Sequence, residues 1–167
     1  MKLQVAQTFL RKYHGRLKPS KSSVPEIIST HIDSRVTEII DVRTPDEYDK
    51  DHIPGSINLP VLNNEERHEV GCLYSKCPFE ARKLGASLIS KNISGHLTGH
   101  FYSKSEDYSP LVYCWRGGQR SYSLGLVLAQ IGFQTFCLEN GYKQYRTHVR
   151  ETLDTLPKRF QFKVISG

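Results

Sequence analysis

Cys114 opens a stretch, Cys114-Trp115-Arg116-Gly117-Gly118-Gln119-Arg120, in which a nucleophile is followed within six residues by two glycines and two arginines. A free thiol titrates at about 8.5, and a helix N-terminus or nearby cations lower that value by one to several units. Arg116 and Arg120 carry permanently charged forks that match oxyanions. Gly117 and Gly118 let the backbone curl so that successive N–H groups face a negative group. The chemistry this pattern suits is nucleophilic: a thiolate at Cys114 takes up a group, and residues 115–120 hold the anion it reacts with. A buried structural thiol closing a strand is the plainer alternative. It leaves the two glycines and two arginines without a purpose.

Placing such a thiol takes a strand before it and a helix after it. Leu111–Tyr113 is a short apolar run that predicts the end of a buried strand. Beyond the loop, Leu124, Val127, Leu128 and Ile131 fall on one helical face, and Gly132 suits the left-handed residue that stops a helix. Cys114 is thus expected where a strand's carboxyl end meets a helix amino end.

The rest of the chain alternates in the same way. Val24–Ser29 is a weak first strand, and Glu38–Arg43 is a better one. Thr44 and Pro45 read as cap and first residue of a short helix, with Asp46 and Glu47 in its first turn. His52-Ile-Pro54-Gly55 ends that helix, and Ser56–Pro60 is a further short strand. Asn63 opens a helix by the same logic. A second helix starts near Pro78 with Leu84, Leu88, Ile89, Ile93 and Leu97 on its inner side, and residues 96–109 read as its frayed end and a loop. Gln134–Leu138 is a strand, turned by Glu139-Asn140-Gly141 into a helix carrying Tyr145, Val149 and Leu153. Phe160–Ser166 is a last strand. Alternating strands and helices predict an α/β fold, a parallel sheet flanked by helices on both faces, with ligands at the strands' carboxyl ends.

Length and charge set the outer limits. The 167 residues fit one domain, read as 24–157, with a basic N-terminal tail at 1–23 and a short segment at 158–167. Residues 1–23 hold six of the 23 basic residues and no acid, so the remaining 17 basic and 17 acidic residues balance. The domain therefore lacks the overall positive charge of a nucleic-acid binder. The tail reads as a solvated arm in a cytoplasmic protein; as a transit peptide it would direct the chain to an organelle instead. No apolar run reaches membrane-spanning length, so no membrane partner is expected. The four cysteines show no framework spacing and read as reduced thiols. Cys72 and Cys77 with His68 lack a second ligand pair, so no metal is expected.

Several blocks carry a family likeness. Asp41-Val42-Arg43 with Glu47, His52-Ile-Pro-Gly-Ser-Ile-Asn-Leu-Pro60 and a Cys loop opening a helix resemble the rhodanese-like domain. Leu59–Gly71, Glu80–Gly85, Cys114–Ser121 and Gly141–Arg146 narrow the resemblance to the tRNA 2-selenouridine synthases, over most of residues 24–167. That resemblance implies a rhodanese-like sheet and a sulfur- or selenium-transferase acting in conversion of 2-thiouridine to 2-selenouridine at the tRNA wobble position. It implies Cys114 as the thiol bearing a persulfide or perselenide, selenophosphate as co-substrate, and tRNA and geranyl diphosphate as partners. No cofactor is expected in this chain. Family members continue into a second domain with a Gly-x4-Gly-Lys-Ser/Thr loop. Residues 158–167 read as the first strand of that absent P-loop domain or as a C-terminal strand, so tRNA and geranyl diphosphate handling are expected outside this chain. Asn140 stands where relatives carry Gly, and Asn tolerates the left-handed geometry.

Other readings stand beside this one. Cys114-x5-Arg120 has the spacing of the phosphate loop of cysteine-dependent phosphatases and arsenate reductases, although Tyr113 stands where those enzymes usually carry His. A non-catalytic rhodanese-like binding module is the alternative of a different class. Asp41 and Arg43 are expected to brace the loops by charged hydrogen bonds, and His52 to tighten the turn at Pro54-Gly55. Trp115 is expected to wall the pocket, with base stacking as the alternative. Cys72 reads as a core thiol rather than one that resolves a persulfide. The Tyr142–Arg146 face reads as solvated, with RNA contact as the alternative.

Overall fold

A computed structural model describes residues 22–29, 32–156 and 163. The expected tail before residue 22, and all of the expected Phe160–Ser166 strand except Lys163, lie outside the described residues. The elements run β1 (Glu26–Ile28), β2 (Glu38–Asp41), α1 (Pro45–Lys50), β3 (Ile57–Asn58), α2 (Asn64–Lys76), α3 (Pro78–His96), a π-helical turn (Leu97–Phe101), β4 (Pro110–Tyr113), α4 (Gln119–Ile131), β5 (Phe136–Leu138) and α5 (Gly141–Thr155). The five strands form a parallel sheet in the order β1-β5-β4-β2-β3. This is the expected α/β architecture. β4 lies at its centre, with Val112 in register between Ile40 and Cys137.

Period-two alternation divides the core between the faces. Ile40, Val112 and Cys137 meet Ile93 of α3 and Leu124 and Leu128 of α4 on one face. Leu111, Tyr113, Phe136 and Leu138 meet Tyr142 of α5 on the other. Cys114 continues β4 onto the first face, whereas Trp115 joins the second.

Local caps account for the helix starts. Thr44 caps α1 and Asn63 caps α2, each in a reciprocal capping box with the acid three residues on, Glu47 and Glu66. Gly132 stops α4 at φ +113°. The Phe133 N–H then bonds the Leu128 carbonyl and turns the Phe133 ring into the core. Phe133 takes the place expected for Ile131, which is 52% exposed.

Three further expectations are corrected. The segment after His96 is not frayed; it winds into the π-helical turn, which delivers Phe101 to the core and His100 to Glu38. On α5 the buried contact comes from Tyr142 in the first turn, and Leu153 is exposed. Cys72 is exposed on α2, not a core thiol, because α2 packs on α3 rather than on the sheet, with Val70 against Gly85.

Candidate active site

β4 ends at Tyr113, and the next residue, Cys114, is 3% exposed at the base of the loop that leads into α4. Two donors converge on its sulfur: the Gly118 N–H at 3.3 Å and the Ser121 hydroxyl at 3.2 Å. Gly118 is the residue that caps α4, so its N–H belongs to the helix's electropositive end. Ser121, in the first turn of α4, is a buried partner that the residue pattern alone does not single out. Its signal is position: a first-turn hydroxyl in a helix that starts just beyond the thiol.

The loop's path is set from beneath by α5. The N–H groups of Tyr142 and Lys143 donate to the carbonyls of Cys114 (2.8 Å) and Trp115 (3.0 Å). Such close approach needs left-handed residues without a side chain in the way. Gly117 has φ +64° and Gly141 φ +61°, and Asn140 adopts φ 55° as expected for its type. A Cβ on Gly141 would strike the Cys114 carbonyl and stand 2.5 Å from the Gly117 nitrogen. Gly141→Ala is therefore expected to destabilise the domain by about 2 kcal/mol or more. Thermal unfolding checks this, and an unchanged melting temperature would contradict it.

The remaining expected site residues divide into two groups. Arg116, Gly117 and Gly118 are exposed on the loop, and Gln119 is exposed at the start of α4. Arg120 turns instead to Glu47 of α1, with Nη1 2.7 Å from Oε2. Burial works to raise the Glu47 carboxyl, but the Arg120 guanidinium and the Thr44 N–H outweigh it and hold the group below its ordinary value of 4.5. A depressed folded value means that the contribution to stability is complete above the unfolded value and is lost as pH falls through the folded one. Glu47→Gln is expected to flatten the acid limb of melting temperature against pH. An acid limb identical to that of the parent would contradict the pairing.

Trp115 packs 5.9 Å from the Tyr142 ring, in the cluster on the face opposite the thiol, and so does not wall the sulfur. Its ring follows the strand alternation away from Cys114. On the Tyr142–Arg146 face, expected to be solvated, Lys143, Gln144 and Arg146 are exposed. Tyr142, however, is 3% exposed and lies under the Arg43 guanidinium, 4.2 Å from the Tyr142 ring centroid.

Asp41 and Arg43 form a fully buried pair, with Nη2 to Oδ2 at 2.6 Å and Nε bonded to both carboxylate oxygens. Arg43 also donates to the Asp51 carbonyl. Burial works to lower the Arg43 value, but the Asp41 hydrogen bonds and charge leave it raised. His52 stacks on Tyr48 at 4.0 Å and contacts the Tyr48 carbonyl through Nδ1. It lies at the end of α1, away from the sulfur's donors.

Among the described residues, no three His, Cys, Asp or Glu side chains group to hold a metal. No helix among them is long and apolar enough to cross a membrane.

A model of the rhodanese-like domain matches residues 24–148. The chain belongs to the rhodanese-like family. Its curated relatives include tRNA 2-selenouridine synthases. That of Proteus mirabilis is 38% identical over 74% of this chain and 34% of its own length. That of Nitrosomonas europaea is 33% identical over 78% of this chain and 34% of its own length. The rhodanese-like chain thus spans about a third of these relatives. A solved structure, the N-terminal domain of a protein described as ATP/GTP binding from Clostridium difficile, is 34% identical with a TM-score of 0.64. The match covers 74% of this chain and 98% of that one. Sulfur or selenium transfer, in general, is the activity this kinship supports.

Proposed function

We propose that Cys114 carries sulfur or selenium as a terminal persulfide or perselenide, and that the acceptor is the wobble 2-thiouridine of tRNA. The observation that carries the reading is the pair of donors on the sulfur, the Gly118 N–H and the Ser121 hydroxyl. The Gly118 N–H is fixed by the helix start and stabilises a thiolate. The Ser121 hydroxyl, which also reaches the Gly118 carbonyl at 3.1 Å, adds to it when it turns to the charged sulfur.

Loading balances without a further reactant when the donor holds a zero-valent chalcogen. With thiosulfate, the Cys114 thiolate attacks the outer sulfur and a new S–S bond forms. The old S–S bond breaks and its electron pair leaves on sulfite. Selenophosphate holds selenium as selenide, so reaching a perselenide from it takes a small-molecule disulfide as two-electron oxidant. The disulfide first forms a mixed disulfide with Cys114, releasing one thiolate. Water cleaves the P–Se bond to phosphate and selenide; selenide then attacks the Cys114 sulfur and expels the second thiolate. In delivery the terminal selenium attacks C2 of 2-thiouridine, a C–Se bond forms, and the C–S bond breaks with sulfur leaving as hydrosulfide. A small-molecule thiolate then attacks the Cys114 sulfur, and the S–Se bond breaks with its electron pair on selenium. Cys114 is left as the mixed disulfide that the next selenide attacks.

Arg116, exposed on the loop, is the cation that meets the donor oxyanion. Arg120 is held by Glu47 and sets the start of α4. Trp115 supports the loop from the opposite face. The tRNA acceptor enters from what the relatives are named for and from the motif likeness, and selenophosphate and geranyl diphosphate from the likeness alone. A reduced thiol acting in tRNA modification suits the cytoplasm. The Cys114-x5-Arg120 spacing shared with phosphatases is met here by an arginine engaged with a carboxylate, which favours chalcogen transfer.

The test is nucleoside mass spectrometry of 2-thiouridine tRNA. The loaded chain is supplied with a small-molecule thiol as reductant and with the part of the Proteus mirabilis protein that this chain does not cover. 2-Selenouridine is expected with the parent and not with Cys114→Ser, and its absence from both would overturn the tRNA reading. Arg116→Ala is expected to raise KM for thiosulfate by about tenfold, the loss of one charge-assisted hydrogen bond. Its melting temperature should stay unchanged, and a large fall would reassign the residue to structure.

A further inference from the structure

A groove of about 480 Å³ runs between α2, α3 and the start of α4, and the thiol chemistry does not use it. Leu62, Val70 and Ile89 give it an apolar floor, and Tyr74 stands at its side, 55% exposed. Arg67, Arg82 and Arg120 also line it, and no Asp or Glu does. Among the described residues, Arg67 and Arg82 form no ion pair with a carboxylate. Gln119 and Arg120 form one wall, and they follow directly on Gly118, whose N–H holds the Cys114 sulfur.

We infer that this groove receives an unpaired nucleotide of a single-stranded RNA loop beside the Cys114 site. An exposed tyrosine next to an apolar floor offers a face for a base, and Arg82, exposed and with no acid in the groove lining, meets a phosphate. Arg67 also lines the cavity that Asp46 and Glu47 line, and Arg120 is held by Glu47. A small inorganic anion would use the arginines and leave the floor bare. A blunt duplex keeps its bases stacked and would use only charge. The inference rests on the tRNA reading above, and it puts the RNA contact on α2 and α3 rather than on the Tyr142–Arg146 helix, where Tyr142 is buried.

Fluorescence anisotropy with the full 167-residue chain tests it, using a hairpin RNA with an unpaired loop and a blunt RNA duplex of equal length. The hairpin is expected to bind more tightly than the duplex. Tyr74→Ala is expected to weaken hairpin binding by about tenfold, the loss of one stacked base, and Tyr74→Phe to restore it. Arg82→Ala is expected to reduce the slope of log affinity against log salt by about 0.7. Both side chains are exposed, and melting temperatures check that the variants fold. Thiosulfate loading, measured on the same samples, reports the thiol separately. Hairpin and duplex binding alike, both variants binding like the parent, or polyglutamate competing as well as the hairpin would each overturn the groove assignment. Failure of loading with groove binding intact would overturn the chalcogen reading and leave the groove standing.

Discussion

Cys114→Ser is expected to reduce thiosulfate-dependent thiocyanate formation, measured with cyanide as acceptor, to the rate without protein. A serine hydroxyl stays protonated at neutral pH, and it offers no sulfur on which a chalcogen can rest. The other three cysteines separate this expectation from a general loss of thiols. Cys137 lies in the same cluster as Cys114 but is held as a thiol: burial first, and then the neighbouring Cys114, push its value up to about 12. Cys72 and Cys77 are exposed on and after α2, away from the α4 N-terminus. Cys72→Ser and Cys137→Ser are therefore expected to retain turnover. Loss of turnover in Cys72→Ser with Cys114→Ser still active would transfer the chemistry to α2.

The second large effect is on stability. Arg43→Ala leaves the Asp41 carboxylate fully buried without its partner and removes the guanidinium from the faces of Tyr142 and Tyr113. Breaking a buried pair on one side costs about 3–5 kcal/mol, so the melting temperature is expected to fall by roughly 10 °C or more. The double change Asp41→Leu with Arg43→Met removes both charges at similar bulk and is expected to recover much of that loss. Thermal unfolding of the two variants checks the argument. A double variant less stable than Arg43→Ala would contradict it.

What was legible in the sequence was mostly local. Thr44 with Glu47 and Asn63 with Glu66 announce helix starts because both halves of each capping box lie within four residues. Gly132 and Asn140 announce their turns because their types tolerate positive φ. The apolar run before Cys114 marks the central strand because consecutive buried positions are consecutive in sequence.

Contacts between distant segments were not legible. The Arg120–Glu47 pair joins residues 73 apart, so an arginine that reads as a donor to substrate proves to be engaged with α1. Tyr142 reads as solvated because the residues that bury it, Leu111, Tyr113, Phe136 and Leu138 with the Arg43 guanidinium, come from other segments of the chain. Trp115 and Cys114 are neighbours in the chain, yet strand alternation sends their side chains to opposite faces. Ser121 needs the helix phase to be known before its hydroxyl can be aimed at the sulfur.

The most direct measurement is intact-protein mass spectrometry of the 167-residue chain after incubation with thiosulfate or selenosulfate, followed by peptide mapping under non-reducing conditions. The expected result is a gain of one sulfur or one selenium atom, located on the peptide that contains Cys114 and removed by cyanide. A chain that gains no chalcogen, or gains it on Cys72, Cys77 or Cys137 with Cys114 unmodified, would contradict Cys114 as the chalcogen carrier.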